Sequence, residues 1–532
     1  MYKSKIMVSK QKKLSTLLMF LFMPFISLAQ EANNKGLDEK INEAFKPIAN
    51  WFEAVILHDF PFTASLFGTG IPTLIILLVG GALFFTIYFG FVNIRYFSTS
   101  IKTVAGKYDS LDKKDNNNTE GEVSHFQALA TAVSGTVGNG NIAGVAMAIA
   151  IGGPGATFWM ILCGLLGMST KFVECTLGVK YRDVGEDGTI YGGPMYYMSK
   201  GLKEIGYEKL GKFLGVVFAL LCIGASFGGG NAAQSNQAAV QLANSFGMTG
   251  GNARTIIGFI MMIFVGIIII GGIKRIASVT EKIVPFMAVM YIAACLYIIL
   301  SNITLVDDAF GMIISQAFSP NAGLGGLVGV LVTGFRRAAF SNEAGAGSAS
   351  IAHSAVKTSY PASEGLVALL EPFIDTVVIC TLTALVIIIF NGDSTVFDYG
   401  GEGGVVLIDG VPAEGASITA AAFSKYIAFS GPFLTIAVVL FAISTMISWS
   451  YYGLQSWIYI FGKSKAADLT YKIIFLLFIV IGAAGDMSSV WGFSDAMILG
   501  LVFPNMIGLF FLFPKVKEEL TKYTNARRGL EK

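Results

Sequence analysis

The stretch SGTVGNGNIAGVAMAIAIGGPG, Ser134 to Gly155, decides how this chain is built. It is apolar enough for a membrane helix, yet it holds seven glycines and two asparagines. An interior glycine costs a helix about 1 kcal/mol relative to alanine. In lipid every backbone N–H and C=O needs a partner, so a broken helix is tolerated only inside the protein or beside a cavity. The stretch therefore predicts a membrane helix that is interrupted at a site.

The composition is that of a membrane protein. Of 532 residues, 54% are hydrophobic and only 14% are charged, whereas soluble proteins carry about 25% charge. A spanning helix needs about 20 apolar residues, and such runs recur, so we expect an all-α polytopic membrane protein in a lipid bilayer. The net charge of +2 argues against a nucleic-acid partner. The spacing of histidines and cysteines predicts no transition-metal site, and no motif supports an enzyme or a cofactor other than a coupling ion.

The N-terminus is typical of a secretory signal peptide. A basic head, KSKIMVSKQKK, precedes the short apolar run LSTLLMFLFMPFISLA and the small residues before Gln30. We expect residues 1–30 to be the signal, with an extra membrane helix as the alternative. Residues 31–70 then form an extracytoplasmic segment, residues 71–515 the membrane domain and residues 516–532 a tail.

Eleven membrane spans are predicted within residues 71–515. They are Ile71–Ile94, one starting near Val123, Ala156–Val179, one within Phe213–Phe246, Thr255–Ile273, Ile283–Leu305, Leu324–Ala355, Gly365–Phe390, one within Phe433–Phe461, Lys472–Ala484 and Ala496–Phe513. Lysine and arginine are concentrated in alternate loops. The positive-inside rule then places the N-terminus outside and the C-terminus in the cytoplasm of a bacterial-type plasma membrane.

A second anomalous segment, GFRRAAFSNEAGAGSASIAHS from Gly334 to Ser354, interrupts the seventh span. Each broken span opens a set of five, at about residues 123–305 and about residues 324–513. Paired interrupted helices in matching positions of two halves indicate the site of a secondary transporter. Their exposed N–H groups favour an anion and their free carbonyls a cation, which suits a carboxylate substrate with Na⁺. The alternative is close packing of helices through small residues.

Polar residues in two other spans are candidates for the same site. Asn231, Gln234 and Gln241 share a face of span four, where they form either a cavity wall, with Gln234 most central, or hydrogen bonds between helices. In span nine, Ser444 and Thr445 offer hydroxyl oxygens suited to Na⁺, although such residues more often bond to their own backbone. Trp449, one turn further, either covers a small ligand or packs.

Charged residues inside the spans have two interpretations each. Glu343 lies near Arg336 and Arg337, so it forms a structural ion pair or contacts the substrate. Glu371 and Asp375 are four residues apart in span eight. Intramembrane carboxylates are functional candidates, which suggests a gating or proton-linked role, or pairing with backbone or a basic residue.

Several blocks together resemble the alanine/glycine:cation symporters, also called sodium:alanine symporters. In chain order they are SGTVGNGNIAGVAMAIAIGGPGATFWM, GGIKRIASVTEKIVPFMAVMY, FSNEAGAGSASIAHSAVKT, EPFIDTVVICTLTALVIII and AISTMISWSYYG. The resemblance runs from about Tyr88 to Phe513. It implies a LeuT-type 5+5 inverted repeat with one extra N-terminal span and two broken helices, and uptake of alanine or glycine coupled to Na⁺ or H⁺.

The resemblance also implies site residues. A substrate would meet Thr136, Gly138 and Asn141 at the first break, Gly345 and Ser348 at the second, and Gln234 and Trp449 as closing walls. By analogy with neurotransmitter-type sodium symporters, Na⁺ would meet the carbonyls of Ser134 and Val137 and the hydroxyls of Ser444 and Thr445.

Two positions depart from the family pattern and leave the exact amino acid open. Asn139 stands where the family usually has threonine, and Ala346 where it often has methionine. We expect Na⁺-coupled import of a small neutral amino acid, alanine or glycine, by alternating access. The alternatives are H⁺ coupling or another substrate on the same fold, and a channel-like or receptor-like membrane protein.

Overall fold

The computed structural model describes residues 37–60, 62–63, 70–114, 120–248, 251–319, 326–392, 394–428 and 430–530. The expected signal peptide lies outside these residues. The helices up to residue 301 are α1 Leu37–Ile56, α2 Thr73–Tyr88, α3 Val92–Arg95, α4 Phe97–Val104, α5 Asp109–Lys114, α6 His125–Thr136, α7 Val145–Gly152, α8 Gly155–Lys180, α9 Pro194–Glu204, α10 Glu208–Phe227, α11 Ala233–Ser245, α12 Ala253–Ile269 and α13 Gly272–Ser301.

The remaining chain is equally helical. Its helices are α14 Val306–Ala317, α15 Gly326–Asn342, α16 Ala349–His353, α17 Pro361–Ala368, α18 Leu370–Pro372, α19 Thr381–Asn391, α20 Ala416–Tyr426, α21 Ser430–Phe461, α22 Lys465–Ala484, α23 Met487–Gly500 and α24 Val502–Leu530. Wider π-helical turns occupy Gly140–Gly144, Gly228–Ala232 and Phe373–Cys380, and 3₁₀ turns occupy Ile303–Leu305 and Glu402–Gly404.

Two short antiparallel hairpins lie between the helices. The strand β1, Asp183–Val184, pairs with β2, Ile190–Tyr191. The strand β3, Val406–Ile408, pairs with β4, Val411–Ala413. Both fall in segments that the sequence assigns to loops.

Seven helical segments in the described part of the chain are long and apolar enough to cross a membrane. They are Gly155–Lys180, Glu208–Ser245, Gly272–Ser301, Pro361–Asn391, Ser430–Phe461, Lys465–Ala484 and Met487–Leu530. Shorter apolar helices occupy Thr73–Tyr88, Gly140–Gly152 and Ala253–Ile269. The chain is therefore a multi-pass membrane protein, as predicted. The count of eleven spans and the two-fold repeat stay predictions.

Helix α8 packs into the middle of the fold because small residues let its neighbours approach. A β-carbon at Gly167 would lie 2.7 Å from that of Ala344, and one at Gly164 would lie 3.0 Å from that of Thr376. Helix–helix contacts in membranes rely on such small residues. The second break and the π-helical turn Phe373–Cys380 are thereby held against α8.

Several helices outside the predicted spans cover the ends of the bundle. Helix α14 lies against the start of α8, where the Trp159 indole donates to the Ala317 carbonyl at 3.0 Å. The segment before β3 reaches α7 through a 2.7 Å bond from Gly400 N to Ala150 O. Helix α1 packs on α23, with the Phe45 and Phe493 ring centroids 5.3 Å apart.

Candidate functional site

The first break begins where α6 ends at Thr136. Val137 leaves the helical region with ψ of 90°, and the chain resumes as the π-helical turn Gly140–Gly144. The Gly138 N–H donates to the Asn141 side-chain oxygen at 2.9 Å. A side chain here takes the place of the carbonyl that a continuous helix would supply. The predicted interruption is confirmed at this position.

Asn139 and Gln234 tie the first break to α11. The Asn139 N–H donates to Gln234 Oε1 at 2.9 Å, and its side-chain amide donates to the Gln234 carbonyl at 3.2 Å. The Gln234 amide in turn donates to the Gly229 carbonyl at 2.9 Å, inside the wide turn that precedes α11. Gln234 therefore lies at the first break.

Asp375 joins the first break to the end of α15. Its carboxylate accepts hydrogen bonds from the Asn141 amide at 2.7 Å, the Ser341 hydroxyl at 2.8 Å and the Thr376 hydroxyl at 2.7 Å. The group is fully buried. Among the described residues it forms no ion pair with a basic side chain, so neutral donors alone satisfy it. The sequence had marked Asp375 as a candidate without giving these partners.

The second break follows Asn342. Glu343, Gly345 and Gly347 have φ values of 55°, 94° and 82°, a region that glycine adopts readily and glutamate rarely. Side-chain contacts hold Glu343 there: its carboxylate accepts from Trp449 Nε1 at 2.9 Å and from the Ser348 hydroxyl. Two predicted substrate residues, Ser348 and Trp449, therefore meet at Glu343.

The predicted residue Gly345 faces a different neighbourhood. Its N–H donates to Glu174 Oε1 at 2.9 Å, and its carbonyl accepts from the Asn505 amide at 2.8 Å. The Thr136 hydroxyl is close to the Ala132 carbonyl of its own helix, at 3.3 Å. The two breaks approach each other elsewhere: a β-carbon at Gly140 would lie 3.6 Å from Ser341 Cα.

The groups predicted to bind Na⁺ lie where α6 ends against α21. The Ser134 hydroxyl donates to the Ser444 carbonyl at 2.8 Å. A β-carbon at Gly138 would lie only 2.4 Å from Thr445 Oγ1. That hydroxyl oxygen is buried and has no hydrogen-bond partner in the described part of the chain. Such groups are uncommon in proteins, and this one lies against the first break.

The two arginines of α15 bind α23 and not Glu343. Arg336 Nε donates to Asp495 at 2.9 Å, and the Arg337 guanidinium contacts the same carboxylate. Arg336 also lies 3.4 Å from Glu53 of α1. Asp495 is 2% exposed at its side chain, so this cluster joins three helices around a buried carboxylate.

A chain of buried acids and bases lies on the other side of the second break. Lys171 Nζ is 3.0 Å from Glu371. His353 Nδ1 is 2.6 Å from Glu364, which also contacts His125. The sequence marks Glu371 as a candidate without revealing its partner. Lys171 inside the apolar run GMSTKFVECTLG was the available signal, because intramembrane charges require partners.

The predicted site residues are closed off from solvent. Among the residues of this set that have side chains, Thr136 has the largest exposed fraction, 4%. They are Ser134, Thr136, Val137, Gly138, Asn141, Gln234, Gly345, Ser348, Ser444, Thr445 and Trp449, all buried. The breaks, α11 and α21 thus enclose polar groups at the middle of the bundle.

Comparison with known proteins follows this geometry. The model of the sodium:alanine symporter family matches residues 59–532. The chain belongs to the sodium:alanine symporter family. It is therefore a transporter and not an enzyme, of a class that couples amino acid movement to Na⁺.

The chain is similar to two named relatives and, more distantly, to a solved structure. The sodium/alanine symporter AgcS of Methanococcus maripaludis is 41% identical over 460 residues, covering 86% of this chain and 95% of that protein. The probable sodium/glutamine symporter GlnT of Bacillus subtilis is 35% identical over 459 residues, covering 86% and 88%. A crystal structure of MhsT in complex with L-phenylalanine is 17% identical, with a TM-score of 0.49, covering 75% of this chain and 100% of that one.

Proposed function

We propose that this symporter imports alanine or glycine together with Na⁺ by alternating access. The observation that carries the proposal is the Thr445 hydroxyl, buried without a partner in the described residues and facing the Gly138 backbone. Hard cations prefer oxygen ligands, and the Ser134 hydroxyl meets the Ser444 carbonyl where α6 ends against α21. Ser134, Val137, Ser444 and Thr445 are the proposed ion ligands.

The substrate carboxylate is assigned to the first break. Backbone N–H groups at a helix N-terminus attract negative charge, and Gly138 leaves no side chain between the backbone and α21. The N–H groups of Gly138 and Asn139 donate to the Asn141 and Gln234 side chains, so a substrate carboxylate would replace these side-chain acceptors. Thr136, Gly138, Asn141 and Gln234 line this side of the proposed substrate site.

The opposite side of the proposed site is formed by Ser348 and Trp449 around Glu343, with Gly345 behind them. Trp449 packs directly on the backbone of the turn that precedes α11, where a β-carbon at Gly230 would lie 2.2 Å from its ring. The similarity to AgcS, a sodium/alanine symporter, supports a small amino acid as the substrate. The name of GlnT makes glutamine the competing substrate.

Coupling follows if ion and substrate stabilise the same closed state. One positive charge moving inward gains about 2.3 kcal/mol per 100 mV, and a Na⁺ concentration gradient adds to that. Movement of the two breaks against α21 would then expose the site to each side in turn.

Uptake into proteoliposomes tests the proposal. We expect labelled alanine or glycine to accumulate under an inward Na⁺ gradient and to stop accumulating when choline replaces Na⁺ at fixed pH. Labelled glutamine serves as the comparison substrate. Undiminished uptake in choline overturns Na⁺ coupling, and faster uptake of glutamine than of either small amino acid overturns the substrate assignment.

Proton coupling is the second candidate, and the buried acid–base chain favours it. Glu364 touches both His125 and His353, and His353 Nε2 lies 3.7 Å from Glu371. The same proteoliposomes separate the two ions: accumulation driven by an inward pH gradient in choline supports H⁺ coupling.

A further inference from the structure

A basic cavity lies far from the proposed transport site, between the end of α2 and the last turns of α24. Its volume is about 370 Å³, and its lining includes Tyr88, Arg95, Tyr96, Lys517 and Arg528. No aspartate or glutamate is present among its described lining residues. Three cations therefore share a concave surface without a carboxylate.

The cations in this cavity differ from their neighbours in having no acidic partner. On the same helix, Lys515 lies 2.9 Å from Glu204 and Lys522 lies 2.8 Å from Glu519. In the described part of the chain, neither Lys517 nor Arg528 forms an ion pair. Positive charge of this kind, without an acidic partner, is available to an anion from outside the protein.

Aromatic rings hold two of these cations at the cavity. Lys517 Nζ is 5.1 Å from the Tyr88 ring centroid, and the Arg95 guanidinium carbon is 5.9 Å from that of Tyr96. Contacts at this distance attract a cation to the ring face. The positive groups are thus positioned before any ligand arrives.

The cavity lies at a boundary between an apolar and a charged surface, which is the arrangement expected at the level of lipid headgroups. On one side the surface is apolar and exposed: Ile87 is 60% exposed and Phe511 38%. On the other side α24 continues as KVKEELTKYTNARRG, rich in charge. Tyrosines are typical of this boundary, and basic pockets between membrane helices bind phospholipid headgroups.

We propose that this cavity binds the phosphate of an anionic phospholipid, with Arg95, Lys517 and Arg528 as its cationic ligands. The acyl chains would lie along the exposed apolar residues of α2 and α24. The lipid would fasten α24, whose Asn505 contacts the second break at Gly345. Its binding does not depend on which substrate or ion is transported.

Native mass spectrometry of the purified full-length protein tests the proposal. Phosphatidylglycerol is added in competition with phosphatidylcholine of identical chains. We expect retention of phosphatidylglycerol, and an affinity reduced about tenfold or more in the double variant K517A/R528A. The matched control K515A/K522A also removes two positive charges from α24, at positions where each lysine has a glutamate partner. Its affinity for phosphatidylglycerol should stay within about twofold of that of the unmodified protein.

Three results would overturn the assignment. Equal loss of affinity in both double variants would show that overall charge and not this cavity attracts the lipid. Equal retention of phosphatidylcholine, in which the choline cation neutralises the phosphate, would show that the net negative charge of the lipid is not recognised. Displacement of the lipid by millimolar inorganic phosphate, with phosphate alone retained, would make this a free-phosphate site. If K517A/R528A is not monodisperse, the variant R95Q takes its place. Its affinity for phosphatidylglycerol is then compared with that of the unmodified protein by titration of the lipid.

Discussion

Single polar atoms distinguish the roles of adjacent residues in α21. The Ser444 hydroxyl donates to the Phe441 carbonyl at 3.0 Å, which is the ordinary use of serine in a membrane helix. The neighbouring Thr445 hydroxyl has no such partner in the described part of the chain. Two residues that look equivalent in sequence therefore differ in availability as ligands.

Thr445→Val should weaken the response to Na⁺, because it keeps the shape of the side chain and removes the oxygen. We expect the Na⁺ concentration for half-maximal alanine uptake to rise about tenfold, equivalent to roughly 1.4 kcal/mol. Thr445→Ser restores the oxygen and should remain close to the unmodified protein, and Ser444→Ala should have the smaller effect. If T445V lowers only the amount of folded protein, with an unchanged Na⁺ dependence, the hydroxyl has a structural role.

At this scale the sequence identifies polar residues better than their partners. Asn141, Gln234 and Asp375 are recognisable because amides and carboxylates are costly in lipid. Their contacts are not, since Asn141 and Asp375 are separated by 234 positions. The number of residues between two helices in the sequence does not reveal which of their faces are in contact.

Among the helices, α1 has a place that the sequence did not assign. It precedes the residues matched by the family model, which start at residue 59, yet it packs on α23. Asn42 accepts from the Asp486 N–H at 3.0 Å, and Glu53 reaches Arg336. The connecting helices α14 and α20 were not predicted either, because they are too short and too polar to be recognised as membrane spans.

The cluster of α1, α15 and α23 predicts two very different mutational effects. Glu53 is 42% exposed at its side chain, and exposed ion pairs contribute about 0–1 kcal/mol, so E53Q should change stability little. Asp495 is buried between two arginines, and removing a buried partner costs about 3–5 kcal/mol, so D495N should lower the melting temperature clearly.

A thiol-reactive dye can follow unfolding in detergent, because all five cysteines are buried in the folded protein. A D495N variant as stable as E53Q would contradict the assignment of Asp495 as the centre of this cluster. The dye reports only on folding, so uptake measurements are kept separate.

On the scale of the whole molecule, the predicted orientation is a consequence of where charge accumulates. Lysine and arginine gather in alternate loops, and the C-terminal part of α24 is charged. Composition and charge made the multi-pass architecture predictable. The helix breaks were predictable too, because glycine and asparagine are unusual in apolar spans.

Introduced cysteines test this orientation, with the buried native thiols as a silent background. Asp409, exposed between β3 and β4, should react as D409C with an impermeant maleimide on intact cells. E518C, on the exposed face of α24, should react only after permeabilisation. The opposite pattern would reverse the topology, and labelling of both in intact cells would refute an odd number of spans between residues 409 and 518.

The ion pair between Lys171 and Glu371 also constrains how the protein is made. The two residues are 200 positions apart, so α8 leaves the ribosome well before its partner has been synthesised. A lysine near the centre of an inserting helix costs about 2.5–3.5 kcal/mol, and Glu174 one turn away is the opposite charge available in the interval. Stable integration of α8 therefore depends on later segments, and a nascent chain truncated before Glu371 should be a preferred target of membrane quality control.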